Sequence, residues 1–184
     1  VAILKIARMG NPALRRQADP IEDARDPAIQ TLLADMVDTM RDADGTGLAA
    51  TQVHANLAAV VYYVEKGRGG ADQEAVPLTK LINPVVTPLD DAPVYDWEGC
   101  LSVPGLIGLV PRPPRIHMSA TTPDGDRIDR EYEGFHARVL QHECDHLAGI
   151  LYPQRMDDLS LLLFREELRH GVPEKAKALL TASE

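Results

Sequence analysis

Two cysteines, Cys100 and Cys144, are all that 184 residues supply. With one of them wanted as a metal ligand, no disulfide framework is left, and this cysteine usage fits a reducing compartment. The sequence lacks a clustered Lys/Arg patch and carries a formal net charge of −9. That argues against a phosphate-tracking surface and against direct nucleic-acid binding. No apolar run is long enough to span a bilayer, and no signal-type segment with a cleavage site appears. A soluble, intracellular protein with no membrane partner is therefore expected. GxGxxG and a Walker lysine are missing, so nucleotide binding is unsupported. Internal repeats, low-complexity tracts and long linkers are missing too, and the apolar share suits one core, so residues 1–184 are expected to form a single domain. Val1 is not an initiator methionine, and the numbered chain is expected to be trimmed at its start.

What is present begins with Gln141-His142-Glu143-Cys144-Asp145-His146. On a helix, positions i and i+4 share a face, so His142 and His146 can hold one metal ion together. Glu143 lies about 100° around from His142 and about 60° from His146, by the 3.6-residue period. It can reach a water on the ion without ligating it. Cys144 lies about 200° from His142 and is expected to pack instead. No downstream acid makes a convincing third ligand: Glu166 and Glu167 sit in a charged run that reads as a solvated face. Upstream, Glu98-Gly99-Cys100-Leu101-Ser102, followed by Pro104-Gly105, reads as a loop around a soft ligand, and Cys100 is taken as the third ligand. Three protein ligands leave a position for water, the mark of a catalytic rather than a structural site.

Elsewhere the sequence predicts elements. Val1 to Ala7 reads as an extended arm. Asp26 then Pro27 reads as an N-cap and first helical residue, and Ile29, Leu32, Leu33, Met36, Val37 and Met40 form an amphipathic stripe ending at Asp42-Asp44-Gly45. Leu57 to Val64 and Leu78 to Ile82 read as strands around a flexible turn at Lys66 to Gly70, with Asn83-Pro84 interrupting the second before Val85 to Leu89. The repeated prolines suggest edge strands and irregular crossings. Arg115 to Thr121 and Arg127 to Tyr132, joined by Pro123-Asp124-Gly125-Asp126, form the clearest hairpin. Gly134 opens the metal-binding helix and Gly149 closes it. Asp157 to Arg169 reads as another helix, followed by a short amphipathic tail. Strands followed by helices, without regular βαβ alternation, give an α+β class: antiparallel β-sheets packed around a central metal-binding helix, with an N-terminal amphipathic helix and a C-terminal helix.

A third segment, Gly45-Thr46-Gly47-Leu48-Ala49-Ala50-Thr51-Gln52, puts two glycines where backbone can approach backbone closely. Together GTGLAATQ, EGCLS and QHECDH, in that order, resemble the three signature motifs of the peptide deformylases. The resemblance extends from about Met9 to Arg155 and implies the same fold. It also implies a hydrolase that removes the formyl group of formylmethionine from nascent polypeptides and releases formate. The reaction expected of such a site is attack on the carbonyl carbon by a hydroxide that the metal would supply, with Glu143 as general base and then acid. The side-chain amide of Gln52 and the backbone N–H of Leu101 are implied as oxyanion donors. The cofactor implied is one divalent ion, natively Fe²⁺, with Ni²⁺, Co²⁺ or Zn²⁺ accepted after purification. Gly47, through strand addition, Thr46, Gly99 and the apolar Val139 and Leu140 are the candidate substrate-binding residues. Thr46 stands where the family commonly carries an aliphatic residue, and Gly105-Leu106-Ile107-Gly108 lacks a basic residue that some relatives use near the peptide's far end. Expected partners are N-formylmethionyl peptides, with transient ribosome contact, a monomeric state and a cytoplasmic location. The residues leave two alternatives, a zinc endopeptidase using the same HExxH, and a non-catalytic protein that binds N-termini; internal cleavage of unformylated peptides, or the absence of turnover, distinguishes them.

Overall fold

The computed structural model describes residues 2–70 and 74–182. Val1 of the expected arm lies outside the described residues. Helix α1 spans Pro27–Asp42, and its N-cap Asp26 accepts from the Ala28 N–H at 2.8 Å. The cap satisfies one of the amide donors that a helix start leaves without a partner, and Pro27 gives up an N–H that had none. Leu33, Met36, Val37 and Met40 of its stripe are buried, with Ile29 and Leu32 packed at the margin. The helix ends as Asp44 turns to φ 52° and the Gly45 N–H reaches back to the Met40 carbonyl. The chain passes directly into strand β1, Gly47–Ala49, and a 3₁₀ turn over Ala50–Val53.

A five-stranded antiparallel sheet runs in the order β1-β2-β3-β6-β7, with β2 at Ala59–Val64, β3 at Val76–Pro88, β6 at Arg115–Thr121 and β7 at Arg127–Glu133. Alternation explains why β2 is a nearly continuous apolar run. Ala59 and Val61 face the α1 core, whereas Val60, Tyr62 and Val64 face a second core on the opposite side of the sheet. The expected break at Asn83-Pro84 is a bulge inside one thirteen-residue strand. Asn83 takes φ 50°, and its side chain exchanges two hydrogen bonds with the backbone of Ile21, at 2.9 and 2.8 Å. The edge-strand reading of the prolines is corrected here, because β3 is the middle strand. Pro84 falls where the bulge leaves no ladder donor to lose, and Pro77 and Pro88 sit near the strand ends.

Helix α2, Gly134–Leu147, lies across the second face, where Ala137, Leu140 and Leu147 pack against Val60, Tyr62, Leu81, Ile116 and Met118. Gly149 follows it at φ 73°, and a Cβ there would fall 2.7 Å from the Arg15 carbonyl carbon, so only glycine closes this helix. A second antiparallel sheet, β4-β5-β8, comprises Val94–Cys100, Val103–Arg112 and Leu162–Phe164.

Two local expectations change. Cys100 is the last residue of β4 rather than part of a loop, since Glu98 pairs with Gly108 and Cys100 with Val103. The helix expected over Asp157 to Arg169 is instead a 3₁₀ turn, strand β8 and a second 3₁₀ turn over Arg165–His170. Leu162 and Leu163 pair with β5, whereas Leu159, which a helical stripe would bury, is 63% exposed. A three-residue strand is too short to show a period of its own, so its leucines mimic a helical pattern. The C-terminal helix is α3, Glu174–Thr181, which buries Ala176 beside Leu109 and Leu161.

Candidate metal centre

Strand β4 and helix α2 bring a thiol and two imidazoles to one point. The donor atoms of Cys100, His142 and His146 all lie within 4.8 Å of one another, with Cys100 Sγ 3.3 Å from His146 Nε2. The imidazoles stand edge to face, 5.0 Å between centroids, one helical turn apart. The set is a thiolate with two nitrogens, the chemistry that suits a borderline divalent ion. Glu143 is buried beside it, and its Oε2 has no hydrogen-bond partner. An isolated carboxylate oxygen at that position is costly unless something in the site uses it, and a water on the ion would. The residues present therefore fit a catalytic metal.

Polar contacts to neighbouring residues fix the candidate ligands. Glu98 is buried, and its Oε2 accepts from His142 Nδ1 at 2.8 Å, which leaves Nε2 to face the site. Two guanidinium groups hold Glu98 in turn. Arg112 donates through Nε at 2.7 Å and Nη2 at 2.9 Å, and Arg138 through Nη1 at 2.8 Å. Burial would raise the Glu98 carboxyl, but the hydrogen bonds and charge of Arg112 outweigh it and hold the group well below the usual carboxylate range. Tyr152 stacks on His142 with centroids 6.3 Å apart. For Cys100, burial favours the thiol, but the charge of His146 and hydrogen bonds from both imidazoles win and favour the thiolate. Burial raises the Glu143 carboxyl, which moves it toward the range where it can exchange a proton near neutrality.

Gln52 approaches from the 3₁₀ turn after β1. Its Oε1 accepts from the Ala49 N–H at 2.9 Å, so its amide nitrogen is turned toward Ser102 Oγ, 3.0 Å away, and Cys100 Sγ, 3.6 Å away. Leu101 follows Cys100 in the turn to β5, packed on Gly45, where a Cβ would lie 2.7 Å from Leu101 Cδ1. Gly47 lies directly against Glu143, since a Cβ there would fall 2.2 Å from Glu143 Oε1. A cavity of about 660 Å³ opens from this point, lined among others by Thr46, Gly47, Gln52, Gly99, Leu101 and Val139. Leu140 is not among its walls; it is fully buried in the core between α2 and the five-stranded sheet. Cys144 stands outside the ligand group, its thiol pushed up to about 12 by burial.

Among the described residues the Asp145 side chain makes no hydrogen bond to the histidines. It pairs with Arg112 at 2.7 Å and Arg155 at 2.6 Å, whereas Arg138 acts on His142 through Glu98. Sequence reasoning missed the part played by Glu98 and Arg112. The acid stood in the EGCLS segment, where an ionisable residue two positions before a ligand is a signal. Arg112, between two prolines, offered none.

A family model described as polypeptide deformylase matches residues 3–161. The chain is 51% identical over 163 residues to peptide deformylase 1 of Bordetella pertussis, covering 89% of this chain and 93% of the relative. It is 47% identical to peptide deformylase 1 of Nitrosomonas europaea, covering 92% and 96%. Its fold is similar to that of a ligand-bound class I type b peptide deformylase from Acinetobacter baumannii, with a TM-score of 0.80, 28% identity and 85% and 100% of the two chains covered. A structure from Thermotoga maritima is similar at a TM-score of 0.74, with 32% identity and 86% and 100% covered. With its ligand group, motif order and both sheets accounted for across most of its length, the chain belongs to the peptide deformylase family.

Proposed function

We propose that this deformylase binds one divalent metal through Cys100, His142 and His146, and that Glu143, Gln52 and the Leu101 N–H act on the formyl group of an N-formylmethionyl peptide. The observation that carries the reading is the buried, unpartnered Glu143 oxygen beside a thiolate and two imidazoles. When bound, a divalent ion supplies Lewis acidity and brings water toward ionisation near neutrality. Glu143, raised by burial, takes a proton from the attacking water and returns it to the departing amine nitrogen. Gly47 gives the Glu143 carboxylate the space it occupies. Gln52 is held by the Ala49 N–H with its donor end toward the site, ready for the oxygen that gains charge.

The methionine side chain is received beside Val139, and the peptide backbone runs along the outer edge of β1, the end strand of its sheet, with Thr46, Gly47 and Gly99 among the residues that line the cavity. A Met-Ala-Ser-bound structure of the Acinetobacter baumannii relative supports a methionyl peptide as ligand. A thiolate with two imidazoles suits Fe²⁺, Ni²⁺, Co²⁺ or Zn²⁺. No helix among the described residues is long and apolar enough to cross a membrane. The proposed place of action is on nascent chains beside the ribosome, in the cytosol.

The test is formate release from formyl-Met-Ala-Ser with Fe²⁺ or Ni²⁺ supplied anaerobically. Formate with an equal amount of new amine supports the reading; cleavage of internal bonds in unformylated peptides would assign the endopeptidase instead. Glu143→Gln should abolish turnover and leave metal content intact, and undiminished turnover removes Glu143 from the mechanism.

A further inference from the structure

We infer that Arg165 is a specificity-determining residue that favours a carboxylate in the substrate just downstream of the formylmethionine. The inference rests on the deformylase reading and goes beyond it. Arg165 directly follows β8 at one edge of the three-stranded sheet, and its side chain reaches to Gly99 of β4 at the other edge. Its Nη2 lies 2.8 Å from where a Cβ at residue 99 would stand, so the absence of a side chain at Gly99 makes its seat. It lines the cavity that opens from the metal ligands. Gly99 is covalently next to Cys100. An extended chain advances about 3.3–3.6 Å per residue, so on this reading the residue that follows the methionine passes the guanidinium.

The charges around the cavity give this cation its role. Glu98 and Arg138 pair with each other, and Glu143 is buried against Gly47. That leaves Asp44, Arg68 and Arg165 as the exposed charged side chains of the lining. Among the described residues neither arginine forms an ion pair with a carboxylate. The chain as a whole carries −9, which repels an acidic nascent chain at long range. A guanidinium beside the path of the second residue reverses that bias locally and presents a planar fork suited to a carboxylate. The carboxylate can be a side chain at the second position or the terminus of a short peptide.

Three capped or uncapped peptides separate the sources: formyl-Met-Glu-Ala-amide, formyl-Met-Gln-Ala-amide, and formyl-Met-Gln-Ala with its free carboxylate. The expected preference of the wild-type enzyme for the Glu peptide over its Gln counterpart is about fivefold in kcat/KM at low salt, the upper range for an exposed ion pair, and it resides in KM. High salt should erase it. In Arg165→Gln the ratio should fall to about one, and in Arg165→Glu it should invert; because each is a ratio within one variant, a general loss of activity cancels. If the dependence on Arg165 appears only with the free-carboxylate peptide, the inference stands and the ligand is the chain terminus. A ratio near one in the wild type for both acidic peptides, or a ratio unchanged by Arg165→Gln, overturns it. Formate from none of the peptides would overturn the deformylase reading itself, and this inference with it.

Discussion

Replacing Glu98 by Gln should weaken both the fold and metal binding, and the structure says by how much. Four donors converge on this buried carboxylate, two from Arg112, one from Arg138 and one from His142. An amide offers one neutral oxygen in place of two charged ones, and its NH₂ faces donors. Arg112 keeps Asp145 at 2.7 Å, and Arg138 keeps the carbonyls of Val110 at 2.9 Å and Val94 at 2.7 Å. Among the described residues the His142 Nδ1–H has no other partner, so this imidazole loses most. Breaking a buried pair by removing one charge costs about 3–5 kcal/mol. Loss of the group that orients a ligating histidine costs about 10–100-fold in metal affinity. Urea unfolding of the nickel-loaded protein and competition for nickel by a chelator measure the two effects. Because Glu98 is held below its unfolded value, its stabilisation is present above the unfolded pKa near 4.5 and is lost only as pH falls toward the folded one. The variant and wild type should therefore differ at neutral pH and converge only in strong acid. A nickel affinity within about twofold of wild type would refute the orienting role argued here.

The remaining expectations concern the proton path, the oxyanion and a histidine away from the site. Gly47→Ala puts a Cβ 2.2 Å from Glu143 Oε1, so the carboxylate must move. Turnover should fall about 10²-fold with metal content unchanged, and normal kcat would show that Glu143 needs no such placement. Gln52→Ala should cost about 10²–10³ in kcat if its amide serves the oxyanion, read in steady-state kinetics on formyl-Met-Ala-Ser. Burial first, and then the charge of Arg130, push His136 down to about 4. Held neutral in the fold beside the Tyr62 hydroxyl at 2.9 Å, it contributes stability above its unfolded pKa near 6.5, and this is lost as pH falls toward 4. The contribution is about 1–2 kcal/mol once solvent screening at this half-buried ring is allowed for. His136→Phe should lose that much less stability than wild type between neutral pH and pH 4 in urea titrations, and parallel curves would refute it.

Much of this protein was legible from local pattern. The stripe of α1 and its Asp26 cap, the β6–β7 hairpin and the span of α2 between its two glycines depend on contacts within a few residues, where one helical or strand period sets who meets whom. The i, i+4 pairing of His142 and His146 is of the same kind. Where local pattern misled, tertiary pairing had decided the outcome. The leucines after Asp157 became β8 because β5 offered an unpaired edge, and proline-bearing β3 took the middle of its sheet because a bulge absorbs Pro84.

The sequence by itself determined the chemical kinds of residue available and the rigid spacing of two imidazoles with an acid between them. Only the folded chain decided that Cys100 meets His146 from 46 positions away, that Glu98 sets the tautomer of His142 across 44, and that Arg165 ends beside Gly99. Spacing along a helix follows from a fixed rise and rotation per residue, whereas the approach of remote segments depends on how every intervening strand packs, and no short stretch of sequence carries that information.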